Sequence, residues 1–373
     1  MTVVLLLTVV AVVQLGAQQT APRPISRIDL KQFGYLDPAN RPPDLIWNET
    51  GYVAFLDSDT IVVAFSEFVR RIGQRPATLA LLRAEDGKLI RKLDWQVSSS
   101  FKLMQGPDDK FLIDSGDELT LYSSGLEPLR RRDIGEAAVA VSPSGRTLLV
   151  SDRGLSSRSC ESTVLQAISL KEVATWVAPC TIYSTVSDSA VAVLHEEGHD
   201  QWFLQIHRFR QEPQTIYVPQ EQWCEPKPFF ASDSVLVVNQ PLVWFGCFEF
   251  LIMDVDGTIR HREPLDKYEH FENELDAAVS RNGNYLALVL TKMKTGFLQE
   301  LGMARASRQR LLVYDLAHAR KAWDLVLKPF PKQRARVALS PDGSRLALLR
   351  DGWLEIYPTA GEGSLAPSNS HPH

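Results

Sequence analysis

The sequence predicts an all-β fold, a seven-bladed β-propeller built from four-stranded blades. Three observations lead to this prediction: a strand–turn–strand unit that recurs along the chain, a second hairpin after each unit, and a last unit that lacks one strand. The clearest unit, Arg336 to Thr359, alternates apolar and polar residues with the period of two that is typical of β-strands. Between its first two strands, Pro341, Asp342 and Gly343 favour a tight turn.

The short polar turn of this unit occurs seven times, and each time an apolar strand follows it. The six intervals from Asp59 to Asp342 average about 47 residues, which is the length of one four-stranded propeller blade. A solenoid or a sandwich fits this period less well. The seven turns are Asp57–Thr60, Gly106–Asp109, Ser142–Gly145, Ser187–Ser189, Ser232–Ser234, Ser280–Gly283 and Ser340–Gly343.

The two ends of the predicted propeller are expected to pair with each other. The seventh unit stops after its third strand, at Tyr357 and Pro358. We expect residues Ile25 to Tyr35 to supply the missing outer strand, because this pairing closes the ring and removes exposed sheet edges. The propeller then spans residues 18–360, and residues 361–373, which are small, polar and contain proline, are expected to form a disordered tail.

Two stretches of the chain resemble a known class of repeat. SPSGRTLLVSD, beginning at Ser142, and SPDGSRLALLRDGWLEIY, beginning at Ser340, are similar to the WD40-like repeats of bacterial secreted propellers, the group that includes the TolB-type periplasmic propeller. The match is strong in the third, sixth and seventh units, whereas spacing and hairpin pattern carry it elsewhere. This resemblance implies a ring-shaped scaffold used for protein contacts, and it implies no reaction.

The first residues of the chain indicate export. Residues 2–16 are almost wholly apolar and are followed by small residues, so residues 1–17 are interpreted as a secretion signal. This stretch of about 15 residues is shorter than the roughly 20 that a membrane-spanning helix needs. An uncleaved anchor and an ordinary core strand are the alternatives. We therefore expect a periplasmic or secreted protein with no transmembrane helix in the mature chain.

Composition agrees with a globular protein and argues against one class of partner. Of the 373 residues, 45% are hydrophobic and 23% are charged, which suffices for a substantial core. The formal net charge of −5 argues against general nucleic-acid binding, which usually needs an excess of Lys and Arg on one face.

One face of the predicted propeller carries the long connections. With the strands of each blade lettered A to D from the inside outward, the A–B and C–D turns share one face, named here the turn rim. The B–C and D–A connections share the other face, named here the loop rim. Insertions near residues 154–161, 240–247 and 293–309 all fall on the loop rim. Because loops on a rigid scaffold usually carry binding function, we expect the binding surface there.

All four cysteines map to the loop rim. Four cysteines allow three pairings, but adjacency favours Cys160 with Cys180 and Cys224 with Cys247. Export makes such disulfides plausible, and each would fasten a loop. A zinc site of four cysteines is the alternative, and the sequence lacks the CxxC pair that such sites use.

Aromatic and basic residues near these cysteines are the candidate binding residues. Large aromatic side chains held in place are common anchors of binding interfaces, although burial between blades is the alternative for each of them. The basic residues belong to a sector that includes Arg310 and Arg336, for which a solvated surface is the alternative. The candidates are Trp223, Trp244, Phe245, Tyr268, His270, Phe271, Arg305 and Arg308.

Two motifs suggest metal binding and are interpreted otherwise. The HExxH pattern of His195–His199 binds zinc only on a helix, and here it lies between two predicted strands. Asp254–Gly257 resembles the start of a calcium loop but lacks the later ligands, so a C–D turn is predicted. Since the sequence also has no GxSxG elbow and no phosphate-binding glycine loop, neither a cofactor nor a metal is expected.

The sequence therefore supports two hypotheses of function. The first is an exported, non-enzymatic propeller that binds a protein or a cell-envelope component through its loop rim. The alternative is a propeller enzyme of the lactonase or lyase type, which needs several Asp, Glu or His residues at the strand A ends around the central channel. Neither hypothesis predicts an oligomeric state.

Overall fold

A computed structural model describes residues 22–35, 51–66, 75–97, 101–135, 137–151, 159–179, 183–196, 201–209, 211–218, 227–239, 249–264, 276–293, 306–329 and 335–359. Within these ranges the chain forms seven antiparallel sheets of four strands, which are the blades of a propeller. The predicted fold class is confirmed. Residues 1–17 and 361–373, the predicted signal and tail, lie outside the described ranges.

The first strand stands apart from the six complete blades that follow it along the chain. It is β1 (Ser26–Asp29), and a single 3-10 turn over Leu30–Phe33 comes directly after it. The strands of blades 1 to 3 are β2 (Tyr52–Phe55), β3 (Thr60–Ser66), β4 (Arg75–Arg83), β5 (Leu89–Val97), β6 (Lys102–Gln105), β7 (Phe111–Asp114), β8 (Glu118–Tyr122), β9 (Pro128–Asp133), β10 (Ala138–Val141), β11 (Thr147–Ser151), β12 (Ser159–Gln166) and β13 (Lys171–Pro179).

Blades 4 to 6 repeat the same order, and blade 7 takes its fourth strand from β1. Their strands are β14 (Ser184–Val186), β15 (Ala190–Glu196), β16 (Trp202–Arg208), β17 (Gln214–Tyr217), β18 (Lys227–Phe230), β19 (Val235–Asn239), β20 (Glu249–Asp254), β21 (Ile259–Pro264), β22 (Asp276–Val279), β23 (Tyr285–Met293), β24 (Ala306–Asp315), β25 (Arg320–Val326), β26 (Arg336–Leu339), β27 (Arg345–Arg350) and β28 (Trp353–Pro358).

Seven apolar clusters, each shared by two neighbouring blades, hold the ring together. The cluster between blades 5 and 6 includes an edge-to-face contact of Phe250 with Tyr314, whose ring centroids lie 5.3 Å apart. Because every blade is covered on both faces, the B strands are buried along most of their length. In β27, for example, Leu346, Ala347, Leu348 and Leu349 are all buried.

The predicted closure of the ring is confirmed. Strand β1 pairs antiparallel with β28, so that Ser26 lies opposite Ile356 and Asp29 lies opposite Trp353. The strand is shorter than the predicted range, because the Asp29 carboxylate accepts a hydrogen bond from the Lys31 backbone N–H and begins the 3-10 turn. Leu30, the buried residue of this turn, continues the core between blades 7 and 1, and Phe33 packs against it.

The seven predicted A–B turns connect strands A and B in every blade, and neighbouring turns touch. Gly145 of blade 3 adopts a φ of +76°, and a side chain there would overlap the backbone of Gly106 in blade 2. A Cβ at Gly283 of blade 6 would lie 2.9 Å from the Cβ of Ser232 in blade 5. Glycine at these positions therefore lets adjacent turns pack closely.

Among the residues that the structure describes, no helix has the length and apolar character needed to cross a membrane.

Candidate functional site

The loop rim lies where strands B and D end and strands C and A begin. Most of the predicted binding residues fall in connections outside the described residues: Trp223, Trp244, Phe245, Tyr268, His270, Phe271 and Arg305. Arg308 lies on β24 opposite Lys292 of β23, and its side chain is not described. The proposed grouping of these side chains on one surface therefore stays a prediction.

The same holds for the predicted disulfides. Cys160 lies on β12 opposite Ala178 of β13, at the loop-rim end of this hairpin. Its side chain, together with Cys180, Cys224 and Cys247, lies outside the described residues. The register therefore places position 160 opposite position 178, which is two residues before Cys180.

The channel mouth on the loop rim is bordered by the first residues of the A strands. Two basic residues at these positions lie over tyrosine rings of neighbouring blades. The guanidinium carbon of Arg336 lies 5.0 Å from the ring centroid of Tyr52, and Lys227 Nζ lies 4.6 Å from that of Tyr183. These strand A starts are Tyr52, Lys102, Ala138, Ser184, Lys227, Asp276 and Arg336.

Arg336 also links blade 7 to blade 6 at this mouth. Its Nη1 lies 3.1 Å from the Asp276 carboxylate, which in addition accepts a hydrogen bond from the backbone N–H of Val337 at 2.5 Å. Arg336 thus connects blades 6, 7 and 1. Arg310, another residue of the predicted basic sector, lies on β24 and binds the Asp324 carboxylate. Both charges are therefore balanced by acidic neighbours.

The turn rim is tied together by hydrogen bonds between neighbouring blades. The Asp188 carboxylate of blade 4 accepts hydrogen bonds from the hydroxyls of Ser142 and Ser144 in blade 3, each at 2.7 Å. The Asp188 backbone N–H donates in turn to Asp233 of blade 5. Arg345 of blade 7 pairs with Asp59 of blade 1 at 3.0 Å. The polar groups of these turns serve to hold the ring.

One side chain crosses the channel at the turn rim. The guanidinium of Arg281 in blade 6 donates a hydrogen bond to the backbone carbonyl of Gly106 in blade 2, at 3.0 Å. Blades 6 and 2 are not neighbours, so the contact spans the mouth. Burial lowers the pKa of Arg281, and the carboxylate of Asp108 partly opposes this effect.

A buried cluster of charges lies between blades 5 and 6. The side chain of Glu263 is only 7% exposed, and it accepts a hydrogen bond from Lys321 at 2.8 Å. His261 Nε2 lies 3.2 Å from the same carboxylate. Burial raises the pKa of Glu263, but these hydrogen bonds, led by that of Lys321, outweigh burial and hold the pKa below its usual range.

Sequence reasoning missed this cluster. The alternation in β21 places His261 and Glu263 on one side of the strand, and this signal is visible in the sequence. The repeat period does not reveal which basic residues of blade 6 contact His261 and Glu263. That depends on how far β24 and β25 extend beside blade 5. A shallow cleft lined by Ile252, Tyr314 and Arg320 adjoins the cluster.

Replacing Asp324 by Asn is expected to lower stability in a pH-dependent way. Two hydrogen bonds from Arg310, at 2.6 and 2.5 Å, lower the pKa of Asp324 to about 2, below its usual range. Because this pKa is depressed in the folded state, the carboxylate stabilises the fold above pH 4 and loses this effect as the pH falls towards about 2. Urea unfolding of both proteins across this range measures the difference.

The control for this experiment is Asp117→Asn, which alters an exposed carboxylate of blade 2. Its free energy of unfolding should follow that of the wild-type protein at every pH. A difference between wild type and Asp324→Asn that stays constant from neutral pH to pH 2 would contradict the assignment.

Both metal-like motifs lie partly or wholly on described residues. His195 and Glu196 were predicted to lie between two strands, but they form the end of strand β15, where His195 lies opposite Phe203, and residues 197–199 lie outside the described ranges. The predicted C–D turn at Asp254–Gly257 is confirmed. In the turn that begins at Asp254, Gly257 has a φ of +95° and donates a backbone hydrogen bond to the Asp254 carbonyl. Across the described ranges, no three His, Cys, Asp or Glu side chains lie close enough to hold a metal ion.

Solved structures share this architecture. The chain aligns with one from a mitotic checkpoint complex at a TM-score of 0.52 and 14% identity, covering 96% of this chain and 100% of that one. For the hydrazine synthase of Kuenenia stuttgartiensis the values are 0.51 and 13%, covering 88% and 99%. For the Hsv2 protein of Kluyveromyces lactis with loop 6CD replaced by a Gly-Ser linker they are 0.50 and 10%, covering 81% and 90%.

These comparisons establish the fold. The chain is a seven-bladed β-propeller. At 10 to 14% identity the likeness says nothing about activity or partners. Neither a protein-family model nor a curated protein sequence matches the chain.

Proposed function

We propose that the protein is an exported, non-enzymatic propeller scaffold that binds another protein or a cell-envelope component through its loop rim. The observation that supports this most is the difference between the two rims. On the turn rim, short turns are fastened to one another by side chains such as Asp188 and Arg345. The long connections lie at the other end of the same strands, so they can vary without disturbing the ring.

Three of these connections are joined to strands of blade 5. Residues 219–226 follow β17, residues 240–248 follow β19, and residues 265–275 follow β21. Six of the candidate binding residues belong to them, and all six are aromatic or histidine. Aromatic anchors surrounded by a polar rim are what strong binding sites on protein surfaces are usually made of.

The alternative, an enzyme with a site in the channel, needs several acidic or histidine side chains at the strand A ends. On the loop rim, the described strand A starts supply Asp276, and its carboxylate is bound by Arg336. On the turn rim, Asp188 and Asp342 accept hydrogen bonds from serine hydroxyls of the turns. These groups serve the fold, so the scaffold is the better supported function.

Replacing Trp223 and Trp244 by alanine is expected to weaken partner binding while the fold is kept. A buried aromatic anchor contributes about 2 kcal/mol or more, so loss of one such anchor reduces affinity by roughly thirtyfold. The measurement is cross-linking of the tagged protein in an envelope extract, followed by mass spectrometry of the captured species. The same spectra report whether residues 1–17 have been removed.

The matched control is Tyr217→Ala, which removes an aromatic side chain that is 53% exposed on the outer strand of blade 4. A partner that is retained by this control and lost by the double variant supports the loop rim. Retention by the double variant would contradict it, and so would loss in both proteins.

A further inference from the structure

The outer wall of the propeller has a charge opposite to that of the chain. Each blade presents one outer strand, and in blade 7 this strand is β1. The seven outer strands contain eleven Arg or Lys and six Asp or Glu, a net charge of +5, whereas the whole chain has −5. The wall is therefore electrostatically suited to an anionic partner. The seven strands are β1, β5, β9, β13, β17, β21 and β25.

Strand β9 of blade 2 is the most basic of these strands. It contains Arg130, Arg131 and Arg132 in succession. Arg130 is exposed and forms no ion pair with any residue that the structure describes. Arg131 lies 3.9 Å from Glu118, and both side chains are largely exposed, so this pair is weak. Two guanidinium groups thus remain accessible to an incoming carboxylate.

The backbone of β9 is also available for hydrogen bonds on its outer side. Strand β9 pairs with β8 on one side and is the last strand of its sheet. The Ile134 N–H donates to the Asp117 carbonyl, and hydrogen-bonded pairs alternate along an antiparallel ladder. The pair of Arg131 with Thr120 is therefore of the non-hydrogen-bonded kind, and the Arg131 N–H points away from the sheet. Asp133 is placed in the same way.

Exposed apolar side chains lie beside these charges. Leu129 is 46% exposed at the start of β9, and Ile90 is 55% exposed on β5 of the neighbouring blade. The two strands are close, because Arg91 of β5 reaches Glu127 at 3.4 Å, just before β9. Charges alone on an edge strand protect against aggregation. Exposed Leu and Ile side chains next to the charges reduce the protection against aggregation, and such exposed apolar residues are typical of a binding surface.

We propose that the outer edge of β9 binds an acidic, extended segment of another protein, which adds to blade 2 as a fifth strand. Carboxylates of the segment pair with Arg130 and Arg131, its apolar residues contact Leu129 and Ile90, and its backbone accepts the outward N–H of Arg131. This surface is separate from the loop rim, and the proposal stands whether or not the loop rim binds a partner.

The test uses a fluorescein-labelled peptide that repeats Glu-Glu-Val-Val, so that acidic and apolar side chains lie on both faces of the added strand, as Arg130 and Arg131 do on β9. Its binding is followed by fluorescence anisotropy. Replacing both Arg130 and Arg131 by Glu should weaken binding at least about tenfold, the size of change expected when charge pairs across an interface become repulsive. The control variant Arg23→Glu with Lys328→Glu makes the same change of charge at exposed sites elsewhere and should bind as the wild type does. Equal weakening in both variants would overturn the proposal.

Strand addition itself is tested by comparing Arg131→Pro with Arg131→Gln. Both variants lose the charge, but only proline removes the outward N–H, and proline is tolerated on the solvent side of an edge strand. We expect Arg131→Pro to bind more weakly than Arg131→Gln. In the wild-type protein, hydrogen exchange at the amides of Arg131 and Asp133 should slow when the peptide binds. Unchanged exchange would overturn strand addition, and so would a preference for vesicles of anionic phospholipid over the peptide.

Discussion

Replacing Ile28 and Leu30 by alanine is expected to lower the free energy of unfolding more than any other change considered for this protein. Both side chains are buried, at 4% and 0% exposure, in the core that joins blade 7 to blade 1. A buried Ile or Leu replaced by Ala costs about 2 to 5 kcal/mol, and here the two losses fall on β1, which closes the ring, and on the 3-10 turn that follows it. Urea unfolding followed by tryptophan fluorescence measures the change.

The matched control is Ile25→Ala, one residue before β1. Its side chain is 53% exposed, so the loss should be below about 0.5 kcal/mol. If the double variant were as stable as this control, β1 would not be what closes the ring.

The second large effect is expected from Arg350→Ala. Arg350 binds both carboxylate oxygens of Glu355, at 2.9 and 3.1 Å, and the Glu355 side chain is only 4% exposed. Tyr357 donates a further hydrogen bond to this carboxylate. Removing the arginine leaves a buried charge without its main partner, which costs about 3 to 5 kcal/mol. Thermal and urea unfolding at neutral pH are the measurements.

The cause is separated from lost packing by a second variant that changes Arg350 to Met and Glu355 to Leu. With both charges gone, much of the stability should return, since a buried pair exchanged for apolar side chains is often neutral. A double variant no more stable than Arg350→Ala would assign the loss to packing instead. Arg91→Ala, which breaks an exposed pair with Glu127, should cost no more than about 1 kcal/mol.

The architecture could be predicted because its information is local. Turns such as Ser340–Gly343 require particular residues for their backbone geometry, and they recur at the period of one blade. In that turn the Asp342 carboxylate accepts hydrogen bonds from Ser340 and Ser344. The residues that determine the turn therefore lie within five consecutive positions of the sequence. Ring closure followed from counting strands, since a blade with three strands has only the other chain end to complete it.

Features that depend on contacts between distant blades could not be predicted in this way. The repeat pattern says that Arg281 lies in a turn, but not that it reaches Gly106, which is 175 residues away. The cluster around Glu263 likewise needs the relative tilt of two blades. The length of β1 was overestimated because the carboxylate of Asp29 begins a turn, and a stretch of apolar and polar residues does not reveal this.

The reach of Arg281 across the channel bears on how the protein comes apart. The seam where the two chain ends meet lies in blade 7, and blades 7 and 1 fill the shorter arc between blades 6 and 2. If β1 dissociates from β28, the distance between blades 6 and 2 can increase only after the hydrogen bond from the Arg281 guanidinium to the Gly106 carbonyl has broken. This hydrogen bond joins two segments that are far from the chain ends in sequence, and it is formed across the channel. It therefore opposes opening of the ring at the place where the two chain ends meet.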